Sequence, residues 1–244
     1  WTKAGYFGLK LTQVSLSSWS AGGESALAFD SQITYSADFK RDRQLWQNRL
    51  ELGYGLTKND GKSARKTNDK IYFASTYGYQ IYKTLYWSAL LNFNTQFAKG
   101  YDYNIEDSDF ISKFMAPGYL MIGTGVTWSP NKIYTATFTP ASWRGTIVAD
   151  SRLSDEGAFG VDKGKHLLSE FGANLKAEVN YEFLPNMKVY SRLELYSNYL
   201  EDPQNVDVRW EVQLNMAINK WFSTTLSTNL LYDNDVKIAQ KDGT

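Results

Sequence analysis

Between residues 206 and 218 apolar and polar positions alternate: Val206, Val208, Trp210, Val212, Leu214, Met216 and Ile218 are separated by Asp207, Arg209, Glu211, Gln213, Asn215 and Ala217. Seven apolar positions at period two fit one face of a strand and no face of a helix. The pattern recurs over residues 171 to 183, where Phe171, Ala173, Leu175, Ala177, Val179, Tyr181 and Phe183 stand against Glu170, Asn174, Lys176, Glu178, Asn180 and Glu182. It returns where Val189, Leu193 and Leu195 stand against Tyr190, Arg192, Glu194 and Tyr196. Weaker versions predict strands near 5–17, 25–40, 44–57, 69–82, 85–98, 117–129, 132–140 and 221–235, eleven in all. Each strand has a fatty side and a polar side. Most exceed the five or six residues usual for soluble strands and supply the roughly 9–11 residues, plus margins, that a tilted strand needs to cross hydrocarbon.

The connections alternate too. They are short near 41–43, 83–84, 129–131, 184–186 and 220–221, with Pro130, Asn131, Pro185 and Asn186 as turn punctuation. They are mostly longer and polar near 18–24, 58–68, 99–116, 141–168 and 200–205. Short turns at one end and long loops at the other are the arrangement of a bacterial outer-membrane barrel, whose short turns face the periplasm. The amino terminus is then expected to be periplasmic. Trp46, Trp87, Trp128 and Trp221 all fall beside short turns, where an aromatic girdle at headgroup level would put them. The alternative, core tryptophans of a soluble β-sandwich, gives no reason for that shared end.

Composition sharpens this reading. The 244 residues carry 26 Lys plus Arg against 26 Asp plus Glu, so no basic surplus points to nucleic acid. Without cysteine, disulfides, thiolate nucleophiles and Cys-based metal sites are excluded. Rings make up 16% of a chain whose mean hydropathy is only -0.44. A transmembrane barrel explains the combination, because its apolar residues occupy only alternate positions. No run of 18 apolar residues occurs, so no transmembrane helix is expected. The sequence opens at Trp1 without a basic and apolar leader, as expected of an exported mature chain.

Several stretches resemble a family of Bacteroidota outer-membrane barrels known only as a domain of unknown function. They are Ser15 to Glu24, the Leu52-Gly53-Tyr54-Gly55-Leu56 strand, Ala116 to Leu120, Leu153 to Val161, and Trp210-Glu211-Val212. The resemblance spans nearly the whole chain. It implies an outer-membrane address and a single barrel over residues 1–244, and it implies no catalytic residue. Since an open edge in lipid would leave backbone groups unsatisfied at several kcal/mol each, closure is expected from a twelfth strand beyond the eleven visible ones. The fold class expected is all-β, a transmembrane up-and-down antiparallel barrel.

If the fatty side meets lipid, the polar side lines a lumen holding Lys10, Asp30, Asp38, Arg49, Glu51, Lys70, Lys176, Glu178, Arg192, Glu194, Arg209, Glu211 and Asp233. Folding the strands about their turns, with inward residues paired to inward residues, predicts two rows of alternating sign. One is Lys176, Glu194, Arg209 and Asp233; the other is Glu178, Arg192 and Glu211. They read either as zips that stabilise the wall by about 0.2–1 kcal/mol per pair or as a polar constriction for a small solute. About twelve strands lie between filled eight-stranded barrels and open sixteen-stranded porins, so the lumen is expected to be narrow.

Other motifs are weaker. The acidic run Asp102 to Asp109 lacks the glycine and terminal Glu of an EF-hand and reads as a solvated loop. His166, the one histidine, lies near Ser151, Ser154 and Ser169, but closeness in sequence does not make a triad. Gly157, Gly160 and Gly164 lack the Lys-Ser/Thr pair and βαβ context of a phosphate loop. The 141–168 loop, with apolar Ile147, Val148, Phe159 and Val161, is expected to plug the mouth or to cap the rim for a partner. The function expected is a non-catalytic narrow channel for small polar solutes, or an accessory subunit of a larger outer-membrane complex; a membrane hydrolase comes third. No cofactor and no metal are expected. The expected partners are outer-membrane lipid and lipopolysaccharide and other outer-membrane proteins, and no nucleic acid.

Overall fold

The computed structural model describes residues 1–16, 23–105, 109–217, 219 and 221–232. In chain order they form β1 (Thr2–Val14), β2 (Ala26–Arg41), β3 (Gln44–Asn59), β4 (Arg65–Tyr82), β5 (Leu85–Thr95), β6 (Gly100–Tyr101), β7 (Phe110–Ser112), β8 (Gly118–Trp128), β9 (Tyr134–Ile147), the short helix α1 (Ser151–Glu156), β10 (Leu167–Leu184), β11 (Met187–Asn198), β12 (Val206–Ala217) and β13 (Ser223–Tyr232). Eleven strands make one antiparallel sheet in the order β1-β2-β3-β4-β5-β8-β9-β10-β11-β12-β13. Every strand pairs with the next long strand in the chain. The small β6–β7 hairpin lies within the connection from β5 to β8.

The expected alternation of connections holds except between β3 and β4, where the long loop expected over 58–68 spans only 60–64 because β4 begins at Arg65. Two residues link β2 to β3, β4 to β5 and β10 to β11, whereas 96–117 and 148–166 are long. Asp42 and Asn186 take positive φ in two of the tight turns, a conformation that short polar side chains tolerate best after glycine. Trp1 stacks near Phe39 and Trp46, so the amino terminus lies at the short-turn end.

Two further expectations need correction. The loop expected over 141–168 covers only 148–166, because β9 continues through Pro140 to Ile147. Its register slips against both neighbours: β10 skips from Thr139 to Ser142, and β8 from Phe138 to Ala141. This bulge accommodates Pro140, which has no ladder N–H to give. Gly125 is needed opposite it, because a Cβ there would lie 2.0 Å from the Phe138 carbonyl oxygen.

The second correction concerns β12 and β13, where Arg209 pairs with Leu231 and not with Asp233. The turn is longer than expected because the Asn219 side chain accepts the backbone N–H groups of Trp221 and Phe222, at 2.8 and 2.9 Å. That local turn withdraws these residues from the ladder. Asp233 itself lies outside the described residues.

The buried apolar cluster does not lie on the sheet. Ala116, Val148, Leu153 and Val161 pack with Phe110, Ala158, Phe159 and Leu168, tying the two long connections together at the long-loop end.

Candidate functional site: the charged face of the sheet

Alternation assigns each strand residue to one of two faces. The register brings Lys176 opposite Glu194 and Glu194 opposite Arg209; beside them, Glu178 faces Arg192 and Arg192 faces Glu211. Arg192 Nη2 donates to Glu211 Oε2 at 2.6 Å. Lys176 turns along its own strand to Glu178, 3.1 Å away, and the Tyr190 hydroxyl donates to the same carboxylate at 3.2 Å. A second group lies on the same face of β1 to β4. Lys10 sits opposite Asp30, Asn68 Nδ2 donates to Asp30 at 3.0 Å, and Glu51 accepts from both Arg49 and Lys70. Asp38 faces Thr2 and Gln47.

The tightest network on this face was not legible in the sequence. Arg144 donates to Glu170 through Nε at 2.9 Å and Nη2 at 2.7 Å, and Nη2 also reaches Asp207 at 3.1 Å. Its guanidinium carbon lies 3.9 Å from the centroid of the Tyr196 ring. One side chain thus joins β9, β10, β11 and β12. Gly172 makes the stack possible, since a Cβ there would meet the Ser197 carbonyl at 2.0 Å and the Tyr196 ring at 3.1 Å. The signal available was the polar position of Glu170 in its alternating strand; Arg144 was hidden by the bulge.

Burial is inverted relative to a water-soluble sheet. Ser88, Thr139 and Ser142, all on the charged face, are buried to 2% exposure or less, while Leu9 and Trp210 on the apolar face are 61% and 46% exposed. The charged face is also crowded over long range: the charges of Glu194 and Arg192 on β11 act on Tyr72 of β4. Those strands are five places apart in sheet order, about 24 Å in a flat sheet at the usual strand spacing.

On the apolar face, Trp46, Trp87 and Trp128 lie beside the short turns. Trp87 packs edge-on to Tyr77 at 6.4 Å, Trp128 faces Leu85 and Ala136, and Trp221 lies in the turn before β13 at 84% exposure. Three tryptophans on this face find partners within it. Trp46, Trp143 and Trp210 donate their ring N–H to Ser75, Ser169 and Ser191 at 2.9, 2.6 and 3.0 Å. In each case the serine lies diagonally across on the adjacent strand. Polar groups that satisfy one another need no water, which is what a hydrocarbon surround requires.

At the long-loop end, the Asp150 side chain caps α1 by accepting the Leu153 N–H at 3.0 Å and meets Lys113 Nζ at 2.5 Å. The Lys113 ammonium first, and the Leu153 N–H second, hold the Asp150 carboxyl below its ordinary range. His166 Nδ1 lies 2.7 Å from the Val148 carbonyl oxygen. Ser154 donates to the Lys165 carbonyl and Ser169 accepts from Trp143 across β9 and β10, so these two hydroxyls are engaged away from the histidine ring. Gly157 is the left-handed C-cap of α1, a turn and not a cradle. Asp102 accepts from Asn104, while Glu106, Asp107 and Ser108 lie outside the described residues. Among the described residues no three His, Asp or Glu side chains gather as a metal site.

The model of a family described as a protein of unknown function, DUF481, matches residues 116–243, more than half of the chain. The chain belongs to the DUF481 family. A model of a second family of unknown function, DUF3078, matches residues 11–101. The DUF481 match takes in β8 to β13 and with them the Arg144 network and both charge rows. No curated protein matches the chain.

Proposed function

We propose that this chain is a bacterial outer-membrane β-barrel of twelve strands, with a narrow channel for small polar solutes along its charged face. The observation that carries the reading is the inverted burial: small polar side chains are shielded on the face with the ion pairs, and large apolar ones are bare on the other. The reach of Glu194 and Arg192 to Tyr72 supports a sheet that curls until distant strands face each other. A twelfth strand closes the sheet against β1 and β13, since lipid leaves no water for open edges. The short turns and the amino terminus face the periplasm. Both signs of charge line the lumen, which suits neutral or zwitterionic solutes better than ions of one sign. The packed segments 110–116 and 148–166 cover its outer mouth. Catalysis has no part in this function.

A second reading, an accessory barrel docked beside other outer-membrane proteins, is favoured by the pairing of Arg192 with Glu211 and of Glu51 with Arg49 and Lys70, which lets these charges act as wall ties. Conductance in planar bilayers separates the two. A channel gives small unitary conductance that rises when residues 150–164 are deleted. If neither form conducts and other chains copurify with the native protein, the accessory reading stands and the channel falls.

A further inference from the structure

We infer that the apolar face carries a seat for an anionic glycerophospholipid at the short-turn end of β1 to β5. One acyl chain lies in a depression of about 720 Å³, with the phosphate against Arg41 and Arg43. This rests on the membrane-spanning reading above.

The depression follows from a step in side-chain size. Trp1, Phe39, Trp46 and Tyr77 form a row of rings across β1 to β4, and the register continues that row into Ala89 of β5 and Thr124 of β8. The surface therefore drops by the height of a ring. Ile122 bounds the hollow beyond. The hydroxyl in its floor is already satisfied: Ser75 accepts from Trp46 and donates to Asn48. An occupant needs to offer no hydrogen bond there, which suits a hydrocarbon chain. The volume lies within the roughly 300–1,000 Å³ common for ligand sites.

Charge fixes the other end of the occupant. Arg41 shares the face of Phe39 and pairs in register with Gln44, which lines the hollow. Arg43 adjoins Gln44, and Lys83 lies in the neighbouring short turn. Against these three cations stands Asp42, which Arg41 meets only at 3.7 Å with both side chains largely exposed, so the pair neutralises little. An apolar trough ending in tryptophan rings and uncompensated guanidinium groups is complementary to an acyl chain, a glycerol level and a phosphate with net negative charge. A protein segment or a second copy of the chain would need an acidic end beside an apolar strip to match it.

The test uses the full chain refolded into vesicles of phosphatidylethanolamine mixed with phosphatidylglycerol. Protection of the strands from protease first reads insertion, and failure there sinks the membrane-spanning reading and this inference with it. Lipid retained by inserted protein is then identified by native mass spectrometry. The wild type retains phosphatidylglycerol in preference, and the preference weakens as salt is raised. Arg41→Gln and Arg43→Gln each lower that retention about fivefold, and both lie in or beside a turn where folding is not at stake. Ala89→Phe fills the hollow and lowers retention of both lipids. Retention without headgroup preference, retention unchanged in all variants, or a hollow filled by a copurifying chain overturns the proposal.

Discussion

Arg144 and Tyr196 stack at 3.9 Å across a strand that separates them, with Gly172 of the intervening β10 clearing the space. The same guanidinium satisfies Glu170 and Asp207, so β9 through β12 are held at one point near the long-loop end. Arg144→Ala would remove the cation that the buried Glu170 shares with Asp207. Because Arg144 is only partly buried, the expected cost is about 2–4 kcal/mol, below the loss for a fully buried pair. Arg144→Lys keeps the charge but loses the bidentate geometry, and falls between. Thermal unfolding in detergent reads both, and an unchanged Tm for Arg144→Ala would contradict the role.

The Arg192–Glu211 contact predicts a charge-swap rescue. Arg192→Glu places three carboxylates together, with Glu178 and Glu211 on either side, and lowers stability; Glu211→Arg added to it recovers part of the loss. The coupling expected from a double-mutant cycle is about 0.2–1 kcal/mol. In the channel reading, the single variants also shift ion selectivity and the double variant restores it. No coupling in stability would mean that the row does not tie the wall.

Asp150 gives the loop segment a pH dependence whose sign is fixed by its lowered pKa. Its contribution is complete above the unfolded value of about 3.9 and is lost as pH falls through the depressed folded value. Hydrogen exchange over residues 148–166 is expected to accelerate in that acid window and not at neutral pH. Asp150→Ala removes the cap, costs about 1 kcal/mol, and gives fast exchange at pH 7. Equal exchange in the two proteins at pH 7 would show that Asp150 does not hold the segment.

What could be read from sequence depended on whether the period of two was interrupted. Over Val206 to Ala217 and Phe171 to Phe183 the period of two runs unbroken, and the register of Lys176, Glu194 and Arg209 follows from pairing inward residues with inward residues, even though a bulge between Glu182 and Leu184 interrupts the ladder beside the turn. Pro140 ends the pattern because a bulge spends extra residues on one strand and shifts its parity, so Thr139 and Ser142 share a face and Arg144 lands where alternation cannot place it. The Asp233 position failed for a different reason. Asn219 closes a side-chain turn of its own, adding two residues that hydrophobic pattern does not record. The packed cluster of Ala116, Val148, Leu153 and Val161 depends on contacts between two connections far apart in sequence, about which strand periodicity is silent.

The most direct test of the inverted polarity uses the absence of cysteine from the chain. Single cysteines placed at each position from 206 to 217 take a spin label in protein reconstituted in lipid, and the label's relaxation by oxygen and by a water-soluble nickel chelate is measured. Labels at 208, 210, 212 and 214 should respond to oxygen, and those at 209, 211 and 213 to nickel, with period two. Labels at 208, 210, 212 and 214 shielded from oxygen and nickel alike, with those at 209 and 211 open to nickel as in bulk solvent, would place the apolar face in a dry protein core and overturn the membrane address.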